Sequence, residues 1–134
     1  MTKKINDLIS LKNTTSLVTG GSGHLGTAIS ETLAELGSNV IVVGRNLEKG
    51  TSFVEHLKNE FNIDSSFFQV DLNSHNSIDL FIKELDTPIN ILVNNAFTWP
   101  SILDIENTTW DDFENTLTSG ITSPFYLTKL VAKL

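Results

Sequence analysis

Residues 16–26 are Ser16-Leu17-Val18-Thr19-Gly20-Gly21-Ser22-Gly23-His24-Leu25-Gly26. A short apolar run ends in a cluster of glycines, and apolar residues then follow at helical spacing, at Leu25, Ile29, Leu33 and Leu36. A strand, a tight turn and a helix start in this order begin a dinucleotide-binding βαβ unit. Glycine lets the backbone approach a diphosphate closely, and the N–H groups of the first helical turn donate to it. The stretch therefore predicts a phosphate-binding loop.

The segments after this helix alternate between strand and helix patterns. The predicted strand 39–43 contains Val40-Ile41-Val42-Val43, a continuously apolar run typical of a strand buried on both faces of a parallel sheet. Further helices are predicted at 47–62 and after a cap at Ser74, and further strands at 65–70 and 89–93. Because parallel crossovers are right-handed, this order predicts an α/β fold: a Rossmann-type doubly wound parallel sheet, truncated after four strands in the order 3-2-1-4.

Length and composition limit the classes of function. The 134 residues predict a single domain, 1–134, with residues 1–15 as a flexible polar lead-in. A net charge of −7 argues against a nucleic-acid partner and against an anionic membrane surface. The sequence has no cysteine and no apolar run of membrane-spanning length, and its start lacks the apolar core of a signal peptide. We therefore expect a cytoplasmic protein.

The residues after the second strand bear on the choice of cofactor. An NAD site normally has an acidic side chain here to accept the ribose hydroxyls, but this chain has Gly44 followed by Arg45. A guanidinium can pair with a 2′-phosphate, which favours NADP(H) over NAD. A solvated surface arginine is the alternative interpretation.

Three motifs together resemble the amino-terminal half of a short-chain dehydrogenase/reductase. They are Thr19–Gly26 after the first strand, Asp71-Leu72 after the third and Asn94-Asn95-Ala96 after the fourth. The resemblance implies an oxidoreductase that moves hydride between a nicotinamide and a carbonyl or alcohol carbon, on a substrate that the sequence does not identify.

The resemblance also implies which residues contact the cofactor. The glycine loop would bind pyrophosphate and ribose, Arg45 the 2′-phosphate, and Asp71 with Leu72 the adenine. Asn94 and Ala96 would lie along the other ribose, and Asn95 would brace neighbouring strands. The expected cofactor-binding residues are Gly20, Ser22, Gly23, His24, Leu25, Gly26, Arg45, Asp71, Leu72, Asn94 and Ala96.

Several positions depart from the family pattern. His24 stands where ordinary members have glycine, and Gly23 gives the spacing of the extended, sugar-nucleotide branch. Phe97 replaces the usual glycine after Asn-Asn-Ala, and Gly120 stands at the position of a catalytic asparagine. The family's catalytic serine and Tyr-x-x-x-Lys pair would lie beyond Leu134.

No catalytic residue is therefore expected in this chain. Tyr126 and Lys129 precede the family's catalytic pair by a strand, so we expect a packed aromatic and a solvated lysine. The three histidines lack metal-ligand spacing, and no metal site is expected. We expect cofactor binding without turnover. The alternatives are a fragment of a longer enzyme, an NADP(H)-sensing or scaffolding module, and a member of the sugar-nucleotide epimerase or reductase branch.

The predicted truncation leaves the fourth strand at an edge of the sheet. An apolar edge strand is a template for pairing with another chain. We therefore expect self-association through this edge or through the terminal helices.

Overall fold

The computed structural model describes residues 9–98 and 104–134. The strands are β1 (Thr15–Thr19), β2 (Asn39–Gly44), β3 (Ser65–Gln69) and β4 (Ile91–Val93). The helices are α1 (His24–Glu35), α2 (Leu47–Phe61), α3 (His75–Glu84), α4 (Trp110–Leu117) and α5 (Ser123–Val131), with a π-helical segment, Thr118–Thr122, joining α4 to α5.

The four strands form one parallel sheet in the order β3-β2-β1-β4, which confirms the predicted topology. Side chains alternate between the two faces of each strand. In β2, Ile41 and Val43 join the core beneath α3 and α5, whereas Val40 and Val42 join the core beneath α1 and α2. Both faces of the sheet are therefore covered by helices, as a doubly wound fold requires.

The helix boundaries follow local signals. Gly37 adopts φ +93° after α1, as expected for a glycine that ends a helix. Asn62, predicted as the last helical residue of α2, is instead a left-handed cap with φ 52°. The Asn46 and Ser74 side chains cap the starts of α2 and α3.

Two predicted boundaries, the start of β4 and the start of β1, were wrong in detail. β4 begins at Ile91 rather than at residue 89. Asn90 still bonds to the start of β1: its backbone N–H donates to the Thr15 carbonyl at 2.9 Å, and its side-chain oxygen accepts the Thr15 N–H at 2.8 Å. Thr15 belongs to β1 rather than to a flexible lead-in, and the Leu11 N–H is tied to the Leu36 carbonyl at 2.8 Å. Residues 1–8 of the predicted lead-in lie outside the described residues.

Candidate functional site

A cavity of about 820 Å³ opens at the carboxyl ends of all four strands. Ligands of open α/β sheets bind at this position, and the volume is in the range of small-molecule and cofactor sites. Four loops form the walls, one after each strand, together with the first turn of α2 and the π-helical segment. The lining residues are Gly20, Ser22, Gly23, His24, Leu25, Gly26, Gly44, Arg45, Asn46, Lys49, Val70, Asp71, Leu72, Asn73, Asn95, Ala96, Phe97, Thr98 and Ser119.

The glycine loop forms the middle wall of the cavity. Gly20 adopts φ +63°, which turns the chain out of β1, and its carbonyl accepts the Gly23 N–H at 2.8 Å. Gly26 packs directly on this turn: a Cβ there would collide with the Gly20 carbonyl oxygen and lie 2.8 Å from the Gly21 Cα. This contact brings the start of α1 against the loop.

The first turn of α1 lines the cavity, so the positive end of the helix dipole lies there. Its cap residue is Gly23, which makes no side-chain capping bond, unlike Asn46 and Ser74 on the neighbouring helices. The amides of the first turn are therefore left for an external acceptor, and the helix dipole favours an anion there. Ser22, buried beside them, adds a hydroxyl.

One end of the cavity carries cationic groups. Arg45 is exposed after β2, and its backbone carbonyl is held by the Gln69 side-chain amide at 2.8 Å. Within residues 9–98 and 104–134 its guanidinium forms no ion pair. Lys49, in the first turn of α2, joins it on the wall. Asp71 lies nearby after β3, and one of its carboxylate oxygens accepts the Asn73 N–H at 3.0 Å.

The opposite end is built from the loop after β4. Asn95 donates its side-chain amide to the Thr19 and Gly20 carbonyls at 2.9 and 3.2 Å, a bracing role between strands β1 and β4. Thr98 donates its backbone N–H to the Ser119 hydroxyl at 3.2 Å. The loop is thus fixed at both ends, with Phe97 between them.

The structure brings ten of the eleven expected cofactor-binding residues onto this cavity. The exception is Asn94, which is exposed and donates its side-chain amide to the Thr128 hydroxyl at 3.0 Å. The sequence analysis missed Lys49 and Asn73. Lys49 lies in the first turn of α2, four residues after Arg45, and this closeness in the sequence could have indicated a second cation at the same place.

Tyr126 and Lys129 are not among the residues that line the cavity. The Tyr126 phenol donates to the Asp79 carboxylate at 2.7 Å, and its ring lies 4.6 Å from that of His75, between centroids. Tyr126 is partly buried against the core beneath α3 and α5, as expected of a packed aromatic, and Lys129 is exposed. Among the described residues, no helix is long and apolar enough to cross a membrane, and no cluster could hold a metal ion.

Comparisons with known proteins bear on the family and the fold of the chain. The family model for short chain dehydrogenase matches residues 14–134. A 3-oxoacyl-[acyl-carrier-protein] reductase FabG of Aquifex aeolicus is 33% identical over 124 residues, which are 90% of this chain and 50% of that protein. The chain spans half or less of the length of the curated relatives it matches.

Solved structures share the fold. A short-chain dehydrogenase from Sphingobium yanoikuyae in complex with NADPH is 26% identical with a TM-score of 0.79, over 90% of this chain and 48% of that one. An NAD⁺-bound xylitol dehydrogenase is 25% identical with a TM-score of 0.80, over 91% and 48%. Chains of this fold therefore bind nicotinamide dinucleotides of both kinds.

The first prediction concerns the contact between Gly26 and Gly20. Gly26→Ala should lower the free energy of unfolding by roughly 1–3 kcal/mol, because α1 and the loop must separate to admit a methyl group. Denaturant unfolding measures the loss. Gly44→Ala is the matched control, since the nearest atom to a Cβ there is 3.5 Å away. Equal losses in the two variants would contradict the account of the loop.

The second prediction concerns Tyr126, the single tyrosine of the chain. Its hydrogen bond to Asp79 raises the pKa of the phenol above its ordinary value, with smaller contributions from burial and from the charge of Asp79. Because the pKa is raised on folding, the stabilising effect is present below the ordinary phenol pKa and is lost as pH rises through the folded one. Absorbance titration of the phenolate should show a lower midpoint in Asp79→Asn. An unchanged midpoint would contradict the assignment.

Proposed function

The chain belongs to the short-chain dehydrogenase family, and on that premise we propose that its cavity binds NADP(H) in preference to NAD(H). The observation that carries the proposal is the pair of cations, Arg45 and Lys49, at the cavity end next to β2, where the strand ends at Gly44 and the next residue is Arg45 instead of an acidic residue. An acidic residue there would accept the ribose hydroxyls of NAD, whereas a guanidinium pairs with the extra phosphate of NADP.

The other walls fit the rest of a dinucleotide. The uncapped first turn of α1 and the Ser22 hydroxyl would hold the diphosphate next to Gly20, Gly23 and Gly26. Asp71 and Leu72 would receive the adenine, while Ala96 and the residues after it would lie along the second ribose. Asn94, turned toward α5, would reach the ribose only after release from Thr128.

The cofactor supplies hydride chemistry, whereas the residues of this chain supply binding and orientation. We propose that this chain binds the cofactor without turning it over. Hydride transfer to a carbonyl needs a proton donor at the reacting oxygen. The one tyrosine of the sequence is outside the cavity lining and donates to Asp79 instead. Catalysis by a protein that contains this chain would therefore depend on residues supplied from outside it.

The cofactor preference predicts a selective effect of Arg45. Arg45→Gln should weaken NADPH binding about 10-fold or more and leave NADH binding unchanged, because only NADPH offers a 2′-phosphate to the lost charge. Isothermal calorimetry with both nucleotides measures this. Lys83→Gln, an exposed cation in the last turn of α3, is the matched control. An equal loss for both nucleotides, or no loss, would refute the role of Arg45.

A separate surface favours self-association. Five exposed apolar side chains lie three or four residues apart along α4, the π-helical segment and α5, with exposed fractions of 39–70%. This apolar stripe consists of Trp110, Phe113, Leu117, Ile121 and Phe125. Several large exposed apolar side chains grouped along the same helices favour an interaction site.

We propose that a second copy of the chain covers the apolar stripe in antiparallel orientation. Asp111 and Glu114 lie near one end of the stripe, and Lys129 and Lys133 near the other. A two-fold interface is self-complementary, so antiparallel packing would place the acidic end of each copy against the basic end of its partner.

Sedimentation analysis across a concentration range tests whether the apolar stripe is the interface between two copies of the chain. Ile121→Glu should shift the chain toward monomer, since a buried unpaired carboxylate would oppose the apolar contact. Leu80→Glu is the matched control, because Leu80 is also exposed, at 52%, but lies on α3. A chain that is monomeric at every concentration, or an equal effect of the two variants, would argue against the stripe as the interface.

A further inference from the structure

The ring of Phe97 packs against the backbone of the π-helical segment. An ideal Cβ on Gly120 would lie 2.9 Å from the Phe97 Cε2 and 3.4 Å from its Cδ2. A separation under 3.0 Å is one that real Cβ atoms essentially never show, so a side chain at position 120 would require the ring to shift. The fit of one residue therefore depends on the other.

The contact lies between two anchored segments. On one side, the Ala96 N–H bonds to the Thr19 hydroxyl at 3.0 Å. On the other, the Thr98 N–H bonds to the Ser119 hydroxyl at 3.2 Å, and that buried hydroxyl donates onward to the Thr116 carbonyl at 3.3 Å. Phe97 therefore enters the cavity wall from a backbone that is fixed immediately before and after it.

Phe97 and Gly120 are two of the positions that depart from the family pattern described above, which has glycine at the first and asparagine at the second. In this chain the large residue is at 97 and the small one at 120. The ring takes up volume that a side chain at 120 would need. The two departures thus behave as one exchange, in which an aromatic ring replaces an amide at this end of the cavity.

The position of the Phe97 ring along the cavity indicates which part of a bound dinucleotide it would contact. Arg45 and Asp71 mark one end, the glycine loop marks the middle, and Phe97 with Ser119 marks the other end. A dinucleotide laid with its phosphorylated ribose at Arg45 and its diphosphate on the loop would place its second base near Phe97. This step rests on the proposed function. Phe97 is 44% exposed and lines the cavity.

We propose that Phe97, held in position by Gly120, is a specificity-determining residue that contacts the nicotinamide end of the cofactor. Aromatic rings gain from contact with another planar ring beyond the area they bury. A side chain at position 120 would displace the ring and with it the contact. The pair therefore sets the preference of this end of the cavity for a planar ring.

The experiment compares two ligands that differ only at this end, NADPH and 2′-phospho-ADP-ribose, which lacks the nicotinamide. In Phe97→Ala, calorimetry should show NADPH binding weakened about 3-fold to 10-fold and binding of the fragment unchanged. Unchanged fragment binding also shows that the variant is folded. Leu80→Ala, an exposed apolar truncation on α3, is the matched control and should change neither affinity.

A second measurement tests the coupling of the two positions. Gly120→Ala should lower the melting temperature while Phe97 is present and raise it in the Phe97→Ala background, since alanine is the better helix former once the clash is removed. The same effect in both backgrounds would overturn the coupling. If Phe97→Ala weakened the binding of NADPH and of the fragment equally, or weakened neither, the proposed contact between Phe97 and the nicotinamide end would be overturned, but not the coupling. A wild-type chain that binds neither ligand would overturn the proposed function as well.

Discussion

The hydroxyl of Thr19 joins the two loops on which the cavity depends. It accepts the backbone N–H groups of Asn95 and Ala96, each at 3.0 Å, and the Asn95 side chain returns a bond to the Thr19 carbonyl. Thr19 is only 2% exposed, so these bonds form away from water, where an unpaired polar group would be costly. The end of β1 and the loop after β4 are therefore held at a fixed separation, and the glycine loop starts from that fixed point.

Two close contacts at glycines extend this constraint around the cavity. Gly26 brings α1 onto the turn at Gly20, and Gly120 admits the ring of Phe97 at the other end. In both places the absence of a side chain allows the close approach: a methyl group would force α1 away from the turn at Gly20, and at position 120 it would require the Phe97 ring to shift. The walls are thus set by packing between separate segments, and the polar groups on them line the cavity.

Local patterns account for most of the fold. The strands, helices α1 to α3 and the strand order could be predicted because apolar periodicity, caps and right-handed crossovers are properties of short segments and their sequence. The helical spacing placed Leu25 on the same apolar face as Ile29, but Leu25 is 65% exposed on the cavity wall. The packing of Gly26 against the turn at Gly20 orients the first turn of α1 in this way. The Phe97–Gly120 contact was not predicted, because it depends on how separate segments meet in space. Lys49 was missed although it lies only four residues after Arg45.

The central claim, that the cavity is a dinucleotide site, is tested most directly by an amide chemical-shift titration of the isotope-labelled 14.8 kDa chain with NADPH. The account predicts saturable shifts at the glycine loop, residues 20–26, and at Arg45 and Asp71, with Lys83 on α3 unaffected. A titration that leaves the loop amides unchanged at saturating nucleotide, or that shifts only residues outside the cavity, would contradict it.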